Sequence, residues 1–234
     1  MTANLRKLLK TQLVILCGAA MSLSAHANQI GNGGFETPVT GPGGLNSGYT
    51  ALGAGSTIGP WSVVGPSGSF NHVALVPSTE YSTAGGPSIY FLSQEGSQSL
   101  DLTGEWDNGA AMGVQQSFST TPGQTYSLSF YVGAVTTTDW SPHQGNAIVN
   151  VLLNGNAFQT AINSDLSGDA TTWKQFNYNF TATGSTTTLA FMNGVGPGVG
   201  HNGLDNVAVS PVPEPGTASL LLLGAAGLLR LKRK

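Results

Sequence analysis

Residues Tyr126 to Gly133 read Tyr-Ser-Leu-Ser-Phe-Tyr-Val-Gly. Tyr126, Leu128, Phe130 and Val132 alternate with Ser127, Ser129, Tyr131 and Gly133. A helix would scatter the four apolar residues around its axis, whereas a strand sets all of them on one face. The stretch therefore demands a sheet with one buried side, entered through the turn at Pro122-Gly123. The same alternation recurs in Leu100 and Leu102 against Ser99 and Asp101. It returns in Met112 to Phe118, and in Phe176, Tyr178 and Phe180 against Gln175, Asn177 and Asn179. Ala147 to Leu153 is strongly apolar, and Asn154-Gly155 is a hairpin signal that pairs it with Ala157 to Thr160. Shorter strands are expected at Ile30–Phe35, with a bend at the glycine pair, and at Trp61–Val63, Val73–Leu75 and Ser88–Leu92. Leu189–Phe191 and Leu204–Val209 follow, and Thr37 to Gly59 reads as a long loop. About ten short strands with no helical period predict an all-β, antiparallel β-sandwich of the jelly-roll kind. Trp61 and Trp173 are assigned to its core.

Charge narrows the partners. Between residues 28 and 211 there are ten carboxylates and one base, Lys174, a formal −9 that the whole-chain −3 conceals. Such a surface repels phosphate backbones and excludes nucleic acid; neutral sugars and divalent cations fit it better. Cys17 is the only cysteine and lies outside this body, which rules out disulfides, thiolate metal sites and a cysteine nucleophile there. Carboxylates are plentiful, but no strand holds two across a cleft at the roughly 5–9.5 Å that glycoside hydrolysis needs. His72, His143 and His201 are far apart in sequence, and a G-x-S-x-G elbow is lacking.

The remaining bases sit at the two ends. Arg6, Lys7 and Lys10 precede the apolar run Leu13–Ala20 and the small-x-small sequence Ala25-His26-Ala27, the pattern of a signal peptide cut after residue 27. At the other end Pro213-Glu214-Pro215 is followed by apolar Ala218–Leu229 and then Arg230, Lys232, Arg233 and Lys234. Twelve residues make a helix of about 18 Å against a hydrocarbon core of roughly 30 Å, so the expected transmembrane helix is marginal and its inner-membrane contact transient. The order of proline–acid–proline, apolar segment and basic end resembles the PEP-CTERM sorting signal of Gram-negative bacteria. That resemblance implies processing near Pro213-Glu214-Pro215 by an exosortase-type enzyme and delivery to the cell surface or an exopolysaccharide matrix. The chain thus divides into a signal peptide (1–27), one sandwich (28–211) and a sorting segment (212–234).

The body carries a second resemblance. Asn32-Gly33-Gly34-Phe35-Glu36, a strand at Trp61, Ser99-Leu100-Asp101-Leu102, Gln116-Ser117-Phe118 and Tyr126–Phe130 are similar, in order and spacing, to the DUF642 group of galactose-binding-like domains. So is Leu204-Asp205-Asn206-Val207 at the end. The group implies a jelly roll associated with extracellular polysaccharide. Its plant members have two domains with cysteines; here there is one, with none. The resemblance also places a structural Ca2+ at Glu36 and Asp205, where a first-strand and a last-strand carboxylate would meet among exposed carbonyls. The alternative is that Glu36 bonds a turn and Asp205 forms an Asx turn through Asn206.

For a sugar ligand the candidates are the loop tryptophans Trp106 and Trp140, with Tyr131 on the outer face of its strand and Asp107, His143 and Gln144 as hydrogen-bonding partners. The reading that follows is an exported surface or matrix protein with a non-catalytic, carbohydrate-binding-like sandwich. A ligand-free structural matrix protein and a glycan-active enzyme are the alternatives. Mass spectrometry of the native protein should find an N-terminus at Asn28 and no peptide covering Leu228 to Lys234; intact Met1–Lys234 recovered from cytoplasm would contradict export.

Overall fold

The computed structural model describes residues 27–39, 49–82, 88–104, 111–135, 145–166, 170–196 and 199–213. They form fourteen strands: β1 (Thr50–Gly53), β2 (Thr57–Ile58), β3 (Trp61–Val64), β4 (His72–Pro77), β5 (Thr79–Ser82), β6 (Ser88–Phe91) and β7 (Gln98–Asp101), then β8 (Gly113–Ser119), β9 (Thr125–Val135), β10 (Ala147–Leu153), β11 (Asn156–Asn163), β12 (Thr172–Thr181), β13 (Thr186–Asn193) and β14 (His201–Pro211). A front sheet has the order β1-β4-β7-β14-β9-β12 and a back sheet β11-β10-β13-β8-β3-β2; β5 and β6 form a separate hairpin. All strand pairings in these sheets are antiparallel. The fold is an all-β sandwich.

The alternation at residues 126–133 does what its period requires. Tyr126, Leu128, Phe130 and Val132 are buried between the sheets, while Ser127, Ser129 and Tyr131 are half-buried on the outer face of β9. The Phe130 ring meets Phe191 of the back sheet at 4.8 Å between centroids and stacks on Phe176 of β12 at 5.7 Å. Asn154 and Gly155 take positive φ values of 51° and 78° between β10 and β11, the backbone that a two-residue hairpin with the sheet's twist needs.

Three expectations are corrected. Residues 30–35 form no strand. Asn28 Oδ1 accepts from the amides of Ile30 and Val209, and Gln116 pairs with both the N–H and the carbonyl of Gly31. Side chains thus satisfy the backbone that a ladder would otherwise have engaged, and Phe35, fully buried, packs on Trp61 at 5.5 Å. The region expected as one long loop contains β1 and β2. The transmembrane helix is the third: the described residues hold strands and turns, and no helix among them is long and apolar enough to cross a membrane. The apolar run at 218–229, too short at about 18 Å to span the core, lies outside the described residues.

Asn202 bonds both the amide (2.7 Å) and carbonyl (2.8 Å) of Ile148, tying β14 of the front sheet to β10 of the back one. Asn163 of β11 donates to the carbonyls of Val132 and Thr172. Truncating Phe130 to Ala should cost about 3–5 kcal/mol, as for other buried aromatic side chains, read as a lowered urea midpoint with unchanged slope.

Candidate functional site

The outer face of the front sheet is where the structure departs most from a simple sandwich. Alternation predicts Ser99 and Asp101 on a solvated side, yet both are fully buried. Above them Tyr49, Ala74, Val76, Phe91 and Val135 form a second small apolar cluster. Asp101 Oδ2 accepts from His201 Nδ1 at 2.8 Å, and its Oδ1 takes the amide and hydroxyl of Thr103. The chain leaving β6 therefore crosses this face and returns as β7.

Four side chains fasten that crossing. Trp173 Nε1 donates to the carbonyl of Leu92 at 2.8 Å. Asp205 Oδ2 accepts from the amides of Gln94 (2.9 Å) and Glu95 (3.1 Å), and Asn206 Nδ2 donates to Gln94 Oε1. Glu36 Oε1 accepts from the amides of Ser97 and Gln98, and its Oε2 from the Ser97 hydroxyl. Glu36 and Asp205 are thus brought to one loop, but at different points along it. Asp205 Oδ1 also takes the amide of Asn206, whose φ of 49° marks the bulge in β14. Each carboxylate therefore has three of its about four lone-pair positions filled by N–H or O–H donors. Among the described residues no group of three or more His, Cys, Asp or Glu side chains is arranged to hold a metal. This donor set fits a clasp on backbone amides better than a Ca2+ shell of six to eight oxygens.

Trp173 is the residue that sequence reasoning misplaced. Phe176, Tyr178 and Phe180 face inward, so Trp173 has the opposite parity and lies on the outer face, half-buried. Register aligns it with Gly133 of β9 and Gly203 of β14. A Cβ at either glycine would come within 2.9 Å of the indole's six-membered ring, so the indole lies across both. Two glycines in one row are what let it lie there, and the sequence signal that could have found it is its own parity, opposite to that of Phe176, Tyr178 and Phe180. Beside it Tyr90 and Leu92 are 47% and 41% exposed, and Thr171 bonds the Tyr90 carbonyl.

Of the predicted sugar contacts, Tyr131 is on this face, in register with Asp205 and Gln175. Trp106, Asp107, Trp140, His143 and Gln144 lie outside the described residues, as do Glu214 and Pro215. Pro213 is exposed just beyond β14.

Burial raises the Asp205 carboxyl to about 7, with Glu95's charge adding to the rise and the three backbone amides opposing it. At this group the folded state therefore binds more protons than the unfolded one between about pH 4 and pH 7, so the stability that Asp205 contributes is fully present below that window and is lost as pH rises through it. Asp205→Asn should flatten this slope, which can amount to on the order of 4 kcal/mol; thermal melts of both proteins across the window would show it.

No curated protein matches the chain. Among solved structures it is similar to TmCBM61 in complex with β-1,4-galactotriose, at 16% identity and TM-score 0.45, covering 80% of this chain and 99% of that one. The K1 cleaved adhesin domain of Lys-gingipain from Porphyromonas gingivalis matches at 12% identity and TM-score 0.47, covering 70% and 99%. The CBM22-1 xylan-binding domain from Paenibacillus barcinonensis matches at 16% identity and TM-score 0.42, covering 82% and 99%. Residues 211–234 match the PEP-CTERM protein-sorting motif, which implies exosortase-type processing and export. Residues 28–210 match "Protein of unknown function (DUF642)" along their whole length, and the chain belongs to the DUF642 family.

Proposed function

We propose that the chain is a surface or matrix protein of a Gram-negative bacterium whose sandwich binds extracellular polysaccharide without acting on it. The observation that supports a sugar ligand is Trp173. Its indole is laid on two glycines and fixed in direction by its hydrogen bond to the Leu92 carbonyl, and the residue stays partly exposed. A rigid aromatic face of this kind matches the apolar C–H face of a pyranose at little entropic cost. The carboxylates favour binding over catalysis: Glu36 and Asp205 hold backbone amides and Asp101 holds His201 and Thr103. A ligand-free matrix role is the other outcome, and transient membrane contact through residues 218–229 belongs to the delivery step.

For Glu36 and Asp205 the proposal is an amide clasp on the crossing chain, with a structural Ca2+ as its alternative. Pull-down of the processed protein on insoluble polysaccharides should retain it, with or without calcium; no retention on any of them would favour the matrix role. EDTA should leave the melting temperature unchanged if the clasp reading holds, whereas a drop restored by calcium and abolished in Glu36→Ala would establish the ion.

A further inference from the structure

Trp173 heads a longer stripe. The outward-facing residues that follow it on β12 are Gln175, Asn177, Asn179 and Thr181, all exposed. Register sets them opposite Tyr131, Ser129, Ser127 and Thr125 of β9. Gln175, Asn177 and Asn179 stand about 6.8 Å apart, two residues of strand rise. Among the described residues none of these three amides, nor Ser127 or Ser129, makes a side-chain hydrogen bond within the chain. No charged side chain faces outward along 173–181. Lys174 has the other parity: its Nζ bonds the carbonyl of Ile162 and sits over the Phe176 ring.

We propose that this stripe binds an internal stretch of a neutral, linear polysaccharide lying along β12, with Trp173 stacking on one sugar ring. The inference rests on the carbohydrate-binding reading above and extends it to the ligand's class and direction. Side-chain amides offer both donors and acceptors, as sugar hydroxyls do, so each can pair with either role of a hydroxyl. Their even spacing on a straight strand suits a ligand with a repeat. Exposure continues to Thr181, so nothing on the strand blocks the far end, which fits a chain passing through and not a chain terminus. The −9 charge of residues 28–211 disfavours a polyanion.

The test is a titration of the protein recovered after export against neutral and anionic polysaccharides, and against a neutral oligosaccharide ladder from dimer to hexamer. Proteins compared are the wild type, Trp173→Phe and the triple variant Gln175→Ala, Asn177→Ala, Asn179→Ala. Asn177→Asp, a single exposed change, serves if the triple variant does not fold. Wild-type affinity for neutral ligands should rise with chain length. The triple variant should lose roughly tenfold or more on the polymer, or about 1.4 kcal/mol, yet bind the dimer as the wild type does. If the triple variant and Asn177→Asp bind the polymer like the wild type, or if only anionic polymers bind, the stripe is wrong while the carbohydrate-binding reading stands. If the wild type binds no polysaccharide, that reading fails and the stripe with it.

Discussion

Phe130 stands where the two sheets have to meet. Hydrogen bonds within each sheet run along its plane and give no cohesion across the gap, so a sandwich is held mainly by what its inner faces bury. Phe130 touches Phe191 across the gap and Phe176 and Tyr178 beside it, and Phe191 in turn meets Trp61 and through it Phe35. This chain of rings runs from the edge strand β12 to the N-terminal segment. Without disulfides, the two sheets of the body are held face to face by this buried core.

A second kind of bond works alongside the rings. Asn163, Asn202, Gln98 and Gln116 are buried, and each pairs with backbone groups of a distant segment. A side-chain amide carries the same donor and acceptor as a peptide group, so it can complete backbone pairing where no strand is available. Asn202 and Asn163 do this between the sheets, and Gln116 and Gln98 do it for the irregular N-terminal segment. A buried polar group so satisfied fixes one arrangement of the chain, since losing either partner leaves an unpaired group.

Much of the fold was legible in the sequence because period 2 is a local property. The inward residues of β9, the Asn154-Gly155 hairpin and the parity of Phe176, Tyr178 and Phe180 all follow from a few neighbouring residues. What was illegible is tertiary. Residues 30–35 look like a strand because nothing local says that Asn28 and Gln116 will supply their hydrogen bonds. Ser99 and Asp101 alternate as solvated residues should, and only the crossing after β6 buries them. Trp173 lies outside the core to which it is assigned above, as its parity requires; what the sequence does not show is that Gly133 and Gly203 line up beneath it. Glu36 and Asp205 both reach the loop at residues 94–98, but their partners there are peptide amides that no residue type announces.

The N-terminal segment and the last strand have a consequence for orientation. The amide of Gln29 bonds the carbonyl of Val209, and that of Val212 bonds the carbonyl of Thr125, so residues 28 and 213 leave from one pole of the sandwich. Trp173, level with Gly203 and Gly133, lies seven residues of β9 away from Tyr126, the partner of Pro211, about 24 Å along the strand. A body tethered through either end therefore hangs from that pole like a fruit from its stalk, with its tryptophan toward the tip. Cutting one connection leaves the point of suspension unchanged, because the other leaves from the same pole.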